Sequence, residues 1–114
     1  MEAPIPEEWI NAVVIILNAE DRKRIEITQR ALLDWSATFP NAFTYELYDA
    51  ISDALTTQDV VGKLVANQPE QGVTYAFWFF HEKRKLYGKI CLRPNKLIIK
   101  ILSAHRPLQG ENHL

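Results

Sequence analysis

Apolar positions recur at helical spacing through the first half of the chain and alternate through the second. Trp9, Ile10, Val13, Val14 and Leu17 fall three and four apart, which predicts one buried side of a helix over residues 6–18. Pro6 suits a first helical turn, with Glu7 and Glu8 near its positive end. The solvated stretch NAEDRKR (18–24) ends this helix, and the alternation of RIEIT (24–28) predicts one short strand. Thr28 can cap a second helix whose buried side is Ala31, Leu32 and Trp35 and which Pro40 stops. Thr44 can cap a third, with Leu47, Tyr48, Ile51, Ala54 and Leu55 as its stripe. Thr56 with Asp59 has the pattern of a capping box, so Val60, Val61, Leu64 and Val65 lean helical, although VVGKLV also fits a strand.

After the loop 67–72 the period changes to two. Residues 74–81 form an aromatic strand, with Trp78 and Phe80 on one face and Tyr75, Phe77 and Phe79 on the other. Residues 82–85 (EKRK) read as a charged hairpin connection. Leu86, Gly88, Ile90 and Leu92 then alternate with Tyr87, Lys89 and Cys91. Pro94-Asn95 is a turn, and residues 96–103 are the last strand. Residues 1–5 and 107–114 read as frayed tails of a single domain spanning 1–114. Helices followed by an antiparallel meander predict an α+β fold, with the N-terminal helices on one face of a C-terminal antiparallel sheet and the other face left open.

Composition sharpens this picture. A chain of 114 residues, 47% hydrophobic, with three Trp, four Tyr and five Phe, can build one core. The longest apolar run, Ala12 to Leu17, is far short of the ~20 residues of a membrane helix. Acidic Glu2, Glu7 and Glu8 stand where a signal peptide would carry positive charge. The single Cys91 excludes an internal disulfide and a thiolate metal cluster. The expectation is a cytoplasmic protein without a membrane segment.

The net charge of −1 conceals a division. Residues 1–57 hold ten acidic and four basic side chains, whereas residues 58–114 hold four acidic and nine basic ones. Residues 81–106 alone carry eight Lys and Arg against one Glu. Either the two halves face each other, or the basic part awaits an anionic partner.

Most catalytic patterns are missing. His81, His105 and His113 lack ligand spacing, and there is no HExxH, so neither a metal nor another cofactor is expected. There is no GxSxG elbow, and the four glycines form no phosphate loop. The run YAFWFF has the composition of a base-stacking surface and equally of a buried central strand. Tyr87, Lys89, Lys100 and His105 lie on adjacent strands, with Lys83, Arg84 and Lys85 at one end. Cations can hold a scissile phosphate and stabilise its pentavalent transition state. A Tyr, His or Lys can serve the proton transfers of attack by a ribose 2′-hydroxyl. The same lysines also suit a solvated sheet face protected against aggregation.

The succession of ITQRALLDW, TTQDVV, an aromatic strand, LYGKICL and LIIKILSAH resembles the MqsR-like branch of the RelE/ParE toxin superfamily, over roughly residues 25–106. The closest correspondence is Tyr87-Gly88-Lys89-Ile90, followed by a last strand ending in Ser103-Ala104-His105. The resemblance implies a compact RelE-like α+β domain. It also implies a metal-independent endoribonuclease that cleaves messenger RNA and is restrained by an antitoxin protein. By position, Tyr87, Lys89 and His105 would be catalytic. His81, Lys83, Arg84, Lys85, Lys100 and Arg106 would bind RNA or its phosphates. Three features depart from the family: the isoelectric point near 6.3, the lack of a Gln in the aromatic strand, and an N-terminal helix 6–18 that is acidic at its start and strongly apolar. An alternative is therefore a catalytically inactive relative that binds an acidic protein partner or RNA.

Overall fold

The computed structural model describes residues 2–66 and 71–107. Helix α1 (Glu7–Asn18) buries Trp9, Val13, Ile16 and Leu17, the i, i+4, i+7, i+8 set of one helical side. It has no side-chain cap. The Pro6 carbonyl accepts from the Trp9 and Ile10 amides, both at 3.1 Å. A 3₁₀ turn (Arg22–Arg24) leads into strand β2 (Ile25–Ile27). Thr28 then caps α2 (Gln29–Thr38), its hydroxyl accepting from the Ala31 amide at 3.0 Å. Helix α3 (Thr44–Thr57) buries the expected stripe together with Ala50 and Ser52. Its capping position is Phe43, which has no side-chain bond, so Thr44 is the first helical residue instead of the cap.

The sheet is larger than a three-stranded meander. It contains β1 (Ala3–Pro4), β2, β3 (Val61–Leu64), β4 (Val73–His81), β5 (Arg84–Leu92) and β6 (Ile99–His105), in the order β1-β3-β4-β5-β6-β2. All neighbours are antiparallel except β2 and β6. Three expectations are corrected. Residues 61–64 form a strand, because Asp59 takes a left-handed φ of 48° and turns the chain out of α3. The Gln58 side chain then clamps both backbone groups of Phe80, at 2.9 and 3.0 Å, and lays β3 beside β4. Thr56 bonds back to the Ser52 carbonyl at 2.9 Å instead of capping a new helix. Residues 3 and 4 are a strand and not a frayed tail, paired with Gly62 and Val61, and Ile5 beside them is buried. The last strand runs over 99–105, because Lys96 has a left-handed φ of 59° and the Arg93 amide bonds the Ile98 carbonyl, closing a loop before Ile99. The expected loop at 67–72 and the tail at 107–114 lie largely outside the described residues.

The helices cover one face of this sheet, as the α+β expectation requires. Trp9 of α1 meets the edges of Tyr75 and Phe77, with centroids 5.1 and 6.4 Å apart. Trp35 of α2 lies 5.6 Å from His81. Tyr75, Phe77, Phe79 and His81 alternate along β4 and share that side, against Leu86 and Ile90 of β5 and Ile99 and Ile101 of β6. Gly88 lies under the Phe77 ring, where a Cβ would stand 2.9 Å from Phe77 Cε2. No helix among the described residues lies over the other face, although Thr74, Ala76 and Cys91 on it are buried between their neighbours, and none is long and apolar enough to cross a membrane.

One buried phenol makes the fold sensitive to alkali. Tyr48 of α3 lies in the core, and the Arg22 guanidinium stands 5.2 Å from its ring centroid. Burial raises its pKa above the ordinary 10.0, and Arg22 only partly opposes that. The unfolded chain therefore releases this proton first, and stability falls as pH rises from about 10 upward. Tyr48→Phe is expected to flatten that loss, which urea midpoints measured between about pH 8 and 11 would show. An equally steep loss in the variant would place the effect elsewhere.

Candidate functional site on the uncovered sheet face

The β4–β5 hairpin decides where the cation cluster goes. His81 pairs with Arg84, so the connection is only Glu82 and Lys83. Both have positive φ, 51° and 66°, as a tight turn matched to the sheet's twist requires. Arg84 and Lys85 therefore belong to β5 and point to opposite sides. Lys85 lies on the uncovered face, its Nζ 4.5 Å from the Trp78 ring centroid. Arg84 lies on the helix side, its guanidinium 5.9 Å from the centre of Phe39. Lys83 stands exposed at the tip.

A bulge in β6 decides where the histidine goes. Leu92, Cys91 and Ile90 pair with Ile99, Lys100 and Ile101, but Lys89, Gly88 and Tyr87 pair with Ser103, Ala104 and His105. Leu102 is the extra residue. A regular strand would put Lys100 and His105, five residues apart, on opposite faces. The bulge brings both to the uncovered one, and it leaves fully buried Ala104 over Gly88 on the helix side. Thr28 holds this irregular backbone: its amide donates to the Ile101 carbonyl at 3.1 Å and its hydroxyl to the Leu102 carbonyl at 3.4 Å.

The result is an aromatic row across three strands. Trp78 meets Tyr87 edge-on, with centroids 5.4 Å apart, and Tyr87 stacks on His105 at 5.0 Å with 28° between the planes. Trp78, Tyr87 and His105 are all half-buried. His105 Nδ1 lies 2.7 Å from the Arg106 carbonyl. A carbonyl oxygen only accepts, so Nδ1 carries the proton and Nε2 of the neutral ring keeps its lone pair. Lys89 shares the face and stands about 7 Å along the strand from Tyr87, two residues at strand spacing. Ser103 is its cross-strand partner.

The other expected residues are dispersed. Lys100 occupies the same face about 13 Å farther along, beside Glu26 of β2. Glu26 also pairs with Arg93 at 3.2 Å. Arg106 follows β6 directly and is exposed. His81 lies on the helix side with its ring against Trp35 and Phe39, 5.6 and 5.2 Å away, so neither it nor Arg84 joins the Tyr87 row. Lys63 joins the uncovered face through its pairing with Ala76. Lys63 and the Leu102 bulge are the parts of this site that motif spacing did not single out, and Trp78 stood out only as one of the YAFWFF aromatics. The alternation of β4 was the available signal for Trp78.

Apart from Glu26 beside Lys100 and Arg93, the charges of the two halves also part company. Glu7, Glu8, Asp49 and Asp53 lie exposed on the helices, whereas Lys63, Lys85, Lys89 and Lys100 lie on the sheet's opposite side. The sheet and the core stand between them. Among the described residues, no group of three or more His, Cys, Asp or Glu side chains is placed to hold a metal ion. No protein-family model matches the chain, and no curated protein or solved structure matches it significantly.

Proposed function

We propose that the uncovered sheet face binds single-stranded RNA and that Tyr87 and His105 cleave it without a metal ion. The observation that carries the proposal is the bulge-set pairing of Tyr87 with His105, 5.0 Å apart on a lysine-bearing face with no helix over it. In the reaction a ribose 2′-oxygen attacks the adjacent phosphorus in line. The 2′-hydroxyl proton passes to His105 Nε2 while the new O–P bond forms. The P–O5′ bond breaks, and the departing 5′-oxygen takes the Tyr87 phenolic proton. The products are a 2′,3′-cyclic phosphate and a 5′-hydroxyl end. Lys89 meets the charge that develops on the pentavalent phosphorus. Trp78 offers its ring to a base, and Lys85, Arg106 and Lys83 draw the flanking phosphates.

The resemblance to RelE-like toxins extends this proposal to messenger RNA as substrate and to an antitoxin protein as restraining partner. Incubation with long mixed-sequence RNA in EDTA, followed by mapping of 5′ ends, tests it. Discrete cuts that leave 5′-hydroxyl ends are expected. Intact RNA, with ribosomes present as well as absent, would overturn cleavage. Steeply salt-dependent retention of that RNA would then mark a binding module, and capture of an acidic protein an inactive relative.

A further inference from the structure

Two cavities share a wall residue near the end of the sheet that carries His105. One, of about 470 Å³, lies between His105, Arg106 and the α2 residues Asp34 and Thr38. The other, of about 390 Å³, is lined by Thr38, Phe39, Glu46, His81, Glu82 and Arg84. Thr38 is the last residue of α2 and lines both, so they open on either side of that helix end. Arg106 and Thr38 therefore mark the way from the Tyr87–His105 pair toward the second cavity.

That second cavity has the chemistry of a base pocket, not of a phosphate pocket. Glu46 and Glu82 would repel a phosphate. An exocyclic amine of a nucleobase supplies the donors that such carboxylates accept. The Phe39 ring, 4.5 Å from Trp35 and 5.2 Å from His81, is held firmly in the wall. The Arg84 guanidinium lies over this buried ring, and its outer plane is the surface on which an unpaired base can stack. The geometry points to a subsite for one unpaired, amino-bearing base (cytosine, adenine or guanine) of the bound RNA, with Glu46 and Glu82 selecting against uracil. This inference rests on the RNA cleavage proposed for Tyr87 and His105.

Oligomers of 2′-O-methylcytidine and 2′-O-methyluridine of equal length test it, since they lack the attacking hydroxyl and report binding alone. The wild type is expected to bind the cytidine oligomer roughly tenfold more tightly. Glu46→Ala/Glu82→Ala is expected to bring the two affinities together without weakening the uridine oligomer. Arg84→Ala should weaken the cytidine oligomer more than the uridine one. Thermal melts establish that the variants are folded. Equal wild-type affinities, or a preference that survives removal of both carboxylates, overturn the inference. If RNA is still cut in EDTA, only the base subsite falls. If the wild type neither binds nor cuts RNA, the subsite and the proposed activity fall together.

Discussion

Tyr87→Phe/His105→Ala is expected to reduce RNA cleavage by at least about 10³-fold while the protein keeps its fold. Each positioned acid or base contributes about 10²–10⁴-fold to such a reaction, and two groups that act in one step do not contribute additively. Each single variant should therefore lose most of what the double variant loses. Neither substitution empties the core: both side chains are half-buried on the side of the sheet away from the helices. Tyr87→Phe removes only the phenolic oxygen and keeps the ring against Trp78. His105→Ala removes the stacked ring and the bond from Nδ1 to the Arg106 carbonyl, both at the end of β6. The checks are initial cleavage rates in EDTA and a thermal melt of each variant. Undiminished cleavage by the folded double variant would end the assignment.

The placement of this pair also shows where sequence periodicity runs out. The helices were readable because each has a single buried side, and Leu47, Ile51, Ala54 and Leu55 all lie in the core. Alternation likewise sorted Tyr87 and Lys89 from Leu86, Gly88 and Ile90, since the helix-side set is apolar and these two are not, although Cys91 on their side is buried as well. It cannot sort His105 from Lys100, because the odd interval between them is reversed by one inserted residue. Leu102 carries no local mark of a bulge; its place depends on Ala104 fitting over Gly88 and on Thr28 bonding the neighbouring carbonyls. Both of those are long-range facts. Tertiary context overrode the pattern at β3 as well. VVGKLV suits either period, and the Gln58 clamp on Phe80 and the fit of Gly62 against Ala76 decided for a strand. The EKRK cluster was correctly read as a hairpin, but the two-residue turn divided its cations between the two faces.

Two adjacent residues of β4 test the division between the faces. Phe77→Ala is expected to destabilise the fold by about 3–5 kcal/mol, a large part of the roughly 5–15 kcal/mol that holds a domain together. The Phe77 ring is fully buried, touches Trp9 and Phe79, and lies over Gly88, which has no side chain to move into the space left behind. Trp78→Ala should cost only about 1–2 kcal/mol, the worth of its edge contact with Tyr87 and of Lys85 over its ring. Part of even that is offset, because the Trp78 Nε1 hydrogen is out of solvent and has no acceptor among the described residues, an unfavourable state that the substitution removes. RNA affinity should respond in the opposite order. Loss of a stacking ring costs about 1–3 kcal/mol per base, so Trp78→Ala should bind single-stranded RNA roughly tenfold more weakly. Phe77→Ala, at a temperature where it remains folded, should bind nearly as the wild type does. Urea melts and fluorescence anisotropy with one labelled RNA measure both quantities. Equal destabilisation by the two substitutions would mean that the Trp78 face is covered in the protein. Unchanged RNA affinity in Trp78→Ala would remove that ring from the proposed binding surface and leave the lysines to account for it.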